Sequence, residues 1–230
     1  VYSTYRDAEA QKAEYQKGFS VAEIFPINSV GIVTAKDAIL INYNKKELLK
    51  NVADFYSIQP EESYIQKISY RPFDDKFVYF DTKLVERSRE KVMQHFVDKE
   101  NIGLSFQRGS GCDGDKVTPQ ITTKIIDQGY CYPATTALSY CAPVYLFAHQ
   151  NEKIPNLEKE IWNKIDEIVG ETTPENILDY IYAVLHSPNY RERYKEFLKI
   201  DFPRVPYPEN KDNFKKLVKP AKNQNAQGEN

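Results

Sequence analysis

The chain has 230 residues, 41% of them hydrophobic and 28% charged, with 31 Lys and Arg against 33 Asp and Glu for a formal net charge of −2. That length supports one domain with a sizeable core, or a large lobe and a small one. No run approaches the roughly 18 apolar residues of a membrane helix, and the opening V-Y-S-T-Y-R-D-A-E-A-Q-K lacks the apolar core of a signal peptide, so a cytoplasmic protein is expected.

The chain opens on Val1, which fits a piece of something longer. Residues 1–18 are rich in Ala, Glu, Gln and Lys and predict a polar connector helix. From Phe19 two short strand-like runs follow, punctuated by Gly31 and the bend at Ala35, Lys36 and Asp37. Asn44 then caps an amphipathic helix with Leu48, Leu49, Val52 and Phe55 at helical spacing. An aromatic strand carrying Phe77, Val78, Tyr79 and Phe80 is entered through a turn at Pro72, Phe73, Asp74 and Asp75.

The stretch from Thr82 to Phe96 reads as a helix bearing Arg87, Arg89, Lys91 and His95, and Asn101 to Phe106 reads as another strand. After it comes Q-R-G-S-G-C-D-G-D-K, the one glycine-rich loop of the chain. Pro143 to Phe147 predicts a short buried strand, and a helix is expected around Asn156 to Val169.

Thr172 to Pro208 predicts two helices joined at a proline. The first is capped either by Thr172 with Glu175, in capping-box spacing, or by Thr173 followed by Pro174 at the first helical position. Pro188 ends it, and Tyr190, Tyr194, Phe197 and Leu198 make the buried stripe of the second. Pro203, Pro206 and Pro208 are expected to keep the next segment extended without ladder bonds. A last apolar cluster falls at Phe214, Leu217 and Val218, and residues 219–230 are polar enough to predict a disordered tail. The fold class expected is α+β, a mixed sheet with covering helices and a C-terminal helix pair. Its organised part runs over 19–218, with sub-lobes at 19–150 and 151–218.

Chemistry is sparse. Cys112, Cys131 and Cys141 have neither disulfide-framework nor zinc spacing and read as reduced thiols. His95, His149 and His186 share no ligand spacing. No Asn-Pro or Pro-Pro pair supplies the tetrapeptide of an amino-methyltransferase. Gly109 and Gly114 have P-loop spacing, but Asp115 stands where the lysine is needed. A metal-dependent nuclease built on Asp74, Asp75 and Lys76, or on Asp81, Glu90 and Lys91, remains open. Basic and aromatic residues survive this filter best. Arg71, Arg87, Arg89, Gln107, Arg108, Ser110, Lys116 and Lys124 lie among Tyr70, Tyr79 and Phe106, a mix that can hold phosphates and read base edges. The competing reading is a solvated surface with ordinary ion pairs.

Three blocks, F-P-I-N-S-V-G-I-V-T-A-K-D (Phe25 to Asp37), Y-R-P-F-D-D-K-F-V-Y-F (Tyr70 to Phe80) and the block from Tyr180 to Pro206, resemble the C-terminal specificity region of type ISP restriction-modification enzymes and related adenine-specific DNA methyltransferases. The resemblance implies a target recognition domain that binds duplex DNA and reads a short site. A neighbouring methyltransferase domain, outside this chain, would then flip out and methylate an adenine at N6. It implies that S-adenosylmethionine is bound upstream, that this chain has no cofactor and no metal and is non-catalytic, and that its partners are double-stranded DNA and the methyltransferase or helicase domains of a bacterial parent chain. The alternatives are a docking module without DNA affinity of its own and the metal-dependent nuclease.

Overall fold

The computed structural model describes residues 2–109, 119–131, 138–148 and 152–225, with side chains described for 7–109, 119–131, 138–148 and 152–218. Helices and several mixed or antiparallel sheets make it an α+β fold. In chain order the first elements are α1 (Tyr2–Gln16), β1 (Phe19–Ser20), α2 (Val21–Ile24), β2 (Ser29–Val30), α3 (Asp37–Leu40), β3 (Ile41–Asn42) and α4 (Lys45–Tyr56). Then come β4 (Ile65–Arg71), β5 (Asp74–Tyr79), α5 (Glu90–Met93), β6 (Gly103–Gln107), β7 (Gln120–Thr122), β8 (Ile125–Ile126) and β9 (Ser139–Pro143). The chain finishes with β10 (Tyr145–Phe147), β11 (Lys153–Pro155), α6 (Lys159–Val169), α7 (Pro174–His186), α8 (Pro188–Leu198), β12 (Arg204–Val205) and α9 (Lys211–Asn225).

Two compact units share these elements: one takes Val1–Pro26, Gln107–Pro119 and Pro155–Asn230, the other Ile27–Phe106 and Gln120–Ile154. In the first, β1 pairs antiparallel with β12, Phe19 opposite Val205. Gly18 allows this closure, because a Cβ there would lie 2.5 Å from the Val205 carbonyl oxygen. The strap between Pro203 and Pro208 therefore carries a two-residue ladder that its prolines did not announce. Tyrosine hydroxyls hold the rest of it: Tyr180 donates to Pro206 O at 2.9 Å, Tyr190 donates to Arg204 O at 2.7 Å, and Tyr15 accepts from Arg204 N at 3.0 Å. Each hydroxyl satisfies a backbone group that proline-broken chain leaves unpaired.

Of the two caps open to α7, the structure uses Thr173, whose hydroxyl accepts from Asn176 N while Asn176 returns the bond and Pro174 takes the first turn. Thr172 instead links Trp162 Nε1 to the Asp166 carboxylate. Ser187 ends α7 and caps α8, which is kinked at Tyr194. In that stripe Tyr190, Tyr194 and Leu198 are buried, and Phe197 is half-buried and stacks on Tyr15. α9 packs on α7 and runs on to Asn225, into the stretch read as a tail.

The second unit holds two four-stranded sheets, ordered β2-β9-β6-β7 and β3-β5-β4-β8, and the β10-β11 pair. β2 with β9, β3 with β5, β4 with β5 and β6 with β7 pair antiparallel, whereas β4 and β8 pair parallel. Leu48 and Val52 on the apolar stripe of α4 join Leu40, Ile68, Val78, Met93 and Ile125 in its core. Asn44 caps α4, accepting from Lys46 N and Glu47 N. Gly31 lets Ile32 bridge to Asp127, since a Cβ at Gly31 would fall 2.4 Å from the Asp127 carbonyl carbon.

Two readings of local structure are corrected here. The helix expected from Thr82 to Phe96 shrinks to Glu90–Met93. Arg87 and Val33 exchange both backbone hydrogen bonds, at 3.0 and 3.1 Å, which takes groups a helix would need, and Arg89 is left-handed with φ 51°. The expected strand from Pro143 to Phe147 is broken at Val144, whose N–H donates to Ile102 O at 2.8 Å, so β9 and β10 are separate.

Candidate nucleic-acid interface

The β4–β5 hairpin organises the cations of the second unit. Lys67 stands opposite Phe77 across the ladder, on the same face, and Lys45 at the start of α4 lies with Nζ 4.9 Å from the Phe77 ring centre. Together with Lys99 and Lys124 they line a cleft of about 370 Å³ whose one lining carboxylate is Asp98. Asp98 is engaged, since Gln66 Nε2 lies 3.4 Å from each of its oxygens. Lys124 is paired with Asp75, which also accepts from the Ser69 hydroxyl at 3.1 Å. Four ammonium groups around one lining carboxylate, over an aromatic floor, form a local positive surface on a chain whose total charge is slightly negative.

The opposite face of the same hairpin is built on Tyr70. Its ring carries the Arg71 guanidinium at 4.0 Å and the Lys76 ammonium at 3.9 Å, and its hydroxyl donates to Asp37 Oδ2 at 2.8 Å. Burial first, and the Asp37 carboxylate second, push the Tyr70 phenol up to about 12, so it stays protonated at neutral pH. Arg71 also reaches Asp127, Nη1 to Oδ1 at 2.6 Å. Burial raises the Asp127 carboxyl above its ordinary value, opposed by the Gly129 N–H at 2.9 Å and by Arg71.

Of the residues singled out in the sequence, Arg71 and Lys124 are thus brought to this hairpin. Arg87 and Arg89 lie on the separate segment that bridges to Val33. The Arg87 side chain is exposed beside Glu86, and Arg89 Nε is buried without a hydrogen-bond partner among the described residues. Gln107 is buried at the end of β6. Arg108, in the first unit, pairs with Asp201 at 3.1 Å and faces the Phe202 ring at 5.5 Å. Ser110, Lys116 and Cys112 fall outside the described residues, as does His149. Sequence reading missed Lys45, Lys67 and Lys99, which are scattered over 55 positions and converge only through the sheet; the one available signal was the alternation of Lys67 with Ser69 along β4.

Asp74 and Asp75, considered for a nuclease, do not converge. Asp74 and Asp75 are consecutive on a strand and so face opposite sides. Asp74 accepts from Tyr43 at 2.9 Å and pairs with Lys76 at 3.6 Å, whereas Asp75 is held by Lys124. Among the described residues no group of three or more His, Cys, Asp or Glu is placed to hold a metal ion. His186 is not free for catalysis with Ser187 either, since its Nε2 lies 3.0 Å from Pro119 O and its ring against Tyr182.

Residues 57–220 match the family described as the Type ISP C-terminal specificity domain. The match takes in well over half of the sequence, and the chain belongs to that family. Its fold recurs in the ATP-dependent Type ISP restriction-modification enzyme LlaBIII bound to DNA, with a TM-score of 0.74 and 20% identity over 92% of this chain and 16% of that one. It recurs in a DrdV–DNA complex, with a TM-score of 0.71 and 22% identity over 87% of this chain and 23% of that one. A nuclease-deletion mutant of the Type ISP restriction-modification enzyme LlaGI in complex with a DNA substrate mimic gives 0.69 and 20%, over 91% and 23%. The chain therefore spans less than a quarter of the length of each of these structures. No curated protein sequence matches it.

Proposed function

We propose that this chain binds double-stranded DNA and reads a short site on it, as the target recognition domain of a bacterial, cytoplasmic restriction-modification enzyme that methylates adenine at N6. Membership of a specificity-domain family supports the reading, and the observation that carries it is the cleft lined by Lys45, Lys67, Lys99 and Lys124. Cations in such a cleft neutralise phosphates and hold the duplex in register, while base edges are read by other side chains. Arg108 and the stretch through Lys116 and Lys124 are the proposed readers; Gln107, buried at the end of β6, is not among them.

The chain itself is proposed to be non-catalytic, with methyltransferase or helicase domains of the parent protein as its partners. S-adenosylmethionine belongs to one of those domains in this reading. Gly109, where the glycine-rich stretch opens, does not fit it, because its N–H is already donated to Asp201 O at 3.2 Å rather than free to cradle a ligand.

A fluorescence-anisotropy titration of the 230-residue chain against mixed-sequence duplex at several salt concentrations tests the reading. Affinity should fall linearly with salt on logarithmic axes, because each neutralised phosphate releases counterions. A second reading, docking without DNA affinity, is favoured by one observation: Arg71, Arg108 and Lys124 already pair with Asp127, Asp201 and Asp75. It predicts no binding to any duplex together with binding to a separated fragment of the parent protein.

A further inference from the structure

The tip of the β4–β5 hairpin carries a side chain that neither the core nor the cleft uses. Phe73 is fully exposed, at 102%, and adopts φ 63°, in the left-handed region where a bulky side chain is strained. Glycine or asparagine would form this turn at lower cost. Local packing therefore does not account for a phenylalanine here.

The tip also stands clear of its sheet. β8 pairs with β4 only at Ile68 and Ser69, and β3 pairs with β5 only at Val78 and Phe77, so beyond them the hairpin is a two-stranded ribbon. Its base is stiffened by the Arg71 bridge to Asp127, by Lys76 on the Tyr70 ring and by the Tyr43 hydroxyl on Asp74. The two carboxylates beside Phe73 are drawn to opposite flanks by Lys76 and Lys124. What projects is one aromatic ring on a narrow, rigid support, with cations and the exposed Tyr43 interleaved behind it.

We propose that Phe73 is a wedge that enters the base stack of duplex DNA. The proposal rests on the DNA-binding reading above and deepens it by naming the residue that deforms the duplex. An apolar side chain pushed between base steps unstacks and kinks DNA, and basic side chains at its shoulders can meet the flanking phosphates. Arg71 and Lys76 occupy those shoulders, each held in place by a carboxylate, Asp127 and Asp74. Lys67 in the cleft lies six residues back along the hairpin, roughly 20 Å at the rise of a strand, so the cleft grips backbone while the tip works about half a helical turn away. A pocket on a protein partner is a poorer fit, because an interface anchor is ringed by further contact surface. Phe73 is ringed by Arg71, Asp74, Asp75 and Lys76.

The test uses the whole 230-residue chain, Phe73→Ser and Phe73→Trp, with circular dichroism melting to show that each is folded; since Phe73 touches no core, melting should not drop. Two readouts need no knowledge of the recognition site: unwinding of plasmid DNA under topoisomerase, and relative affinity for a duplex with an abasic gap over the intact duplex. The wild type should unwind plasmid and prefer the gapped duplex by roughly five-fold or more, the worth of one base–aromatic stack. Phe73→Ser should bind intact duplex with the same salt slope but neither unwind nor discriminate, and Phe73→Trp should restore both. Binding by the wild type without unwinding, or unwinding retained by Phe73→Ser, overturns the wedge and leaves DNA binding standing; so does loss by Phe73→Ser of association with the parent protein alone. Absence of binding to any duplex at low salt removes both together.

Discussion

Arg71 Nη1 sits 2.6 Å from Asp127 Oδ1, tying the last residue of β4 to the segment just after β8. Asp127 is nearly buried, and its carboxyl is raised above the ordinary value by desolvation in spite of the guanidinium. Arg71→Ala should therefore destabilise the fold by about 1–3 kcal/mol at neutral pH, the cost of leaving a buried acceptor without its partner. The sign with pH follows from the raised value. The folded state holds this proton more tightly than the unfolded chain, so stability falls as pH rises from the unfolded carboxyl value of 3.8 through the folded one, and removing Arg71 deepens that fall. Urea melts of both proteins should show the deficit shrinking as pH drops towards 4; a deficit independent of pH would assign it to something other than Asp127.

Arg108 and Asp201 form a more exposed pair, with 60% and 64% of their side-chain surfaces accessible. Such a pair contributes about 0–1 kcal/mol to stability. Arg108→Ala should leave the melting temperature nearly unchanged and cost about 1–3 kcal/mol in binding to the preferred site if Arg108 reads a base. Asp201→Asn should act the other way, releasing the guanidinium and tightening binding. Competition binding with cognate and mixed-sequence duplexes separates the two effects.

The cleft makes a quantitative demand on salt dependence. Lys67→Gln should weaken binding to all duplexes alike and reduce the slope of log affinity against log salt by about one, and the double change with Lys45→Gln by about two. Lys50→Gln is the control, since Lys50 pairs with Asp54 on α4 and does not line the cleft. Equal slopes for Lys67→Gln and Lys50→Gln would move the phosphate contacts elsewhere.

His95 is buried and accepts the Phe147 N–H at its Nδ1, 3.1 Å away, while its backbone carbonyl receives the Asn101 amide. Desolvation lowers its pKa below 6.5. On acidification the unfolded chain takes up the proton first, so stability should fall as pH drops from about 6.5 towards the lowered folded value. His95→Gln should flatten the pH dependence of thermal melting over that window, at some cost in stability near pH 7.

Much of this molecule is legible along the chain because its causes are local. Asn44 before an amphipathic run, and Pro188 between two tyrosine-rich helices, act through one or two turns of backbone, and both elements stand where their residues predict. The blocks at Phe25, Tyr70 and Tyr180 resemble the specificity-domain family, and the family match over 57–220 takes in the second and third. The cap of α7 was narrowed to two adjacent threonines, and packing chose between them: Thr172 is drawn away by Trp162 and Asp166.

The α+β class, the capped helices, the aromatic hairpin and the family are all readable along the chain. Which cations meet, and which are already satisfied, depends on how the strands pair in space. Lys45, Lys67, Lys99 and Lys124 belong to four segments, and a cleft among them exists because β4 lies beside both β5 and β8. Arg71, Arg108 and Lys124 look alike in one dimension, yet each acquires a carboxylate from a distant residue, Asp127, Asp201 or Asp75. Side-chain type sets what a group can bind, whereas charge compensation depends on a distance of a few ångströms that strand pairing alone imposes.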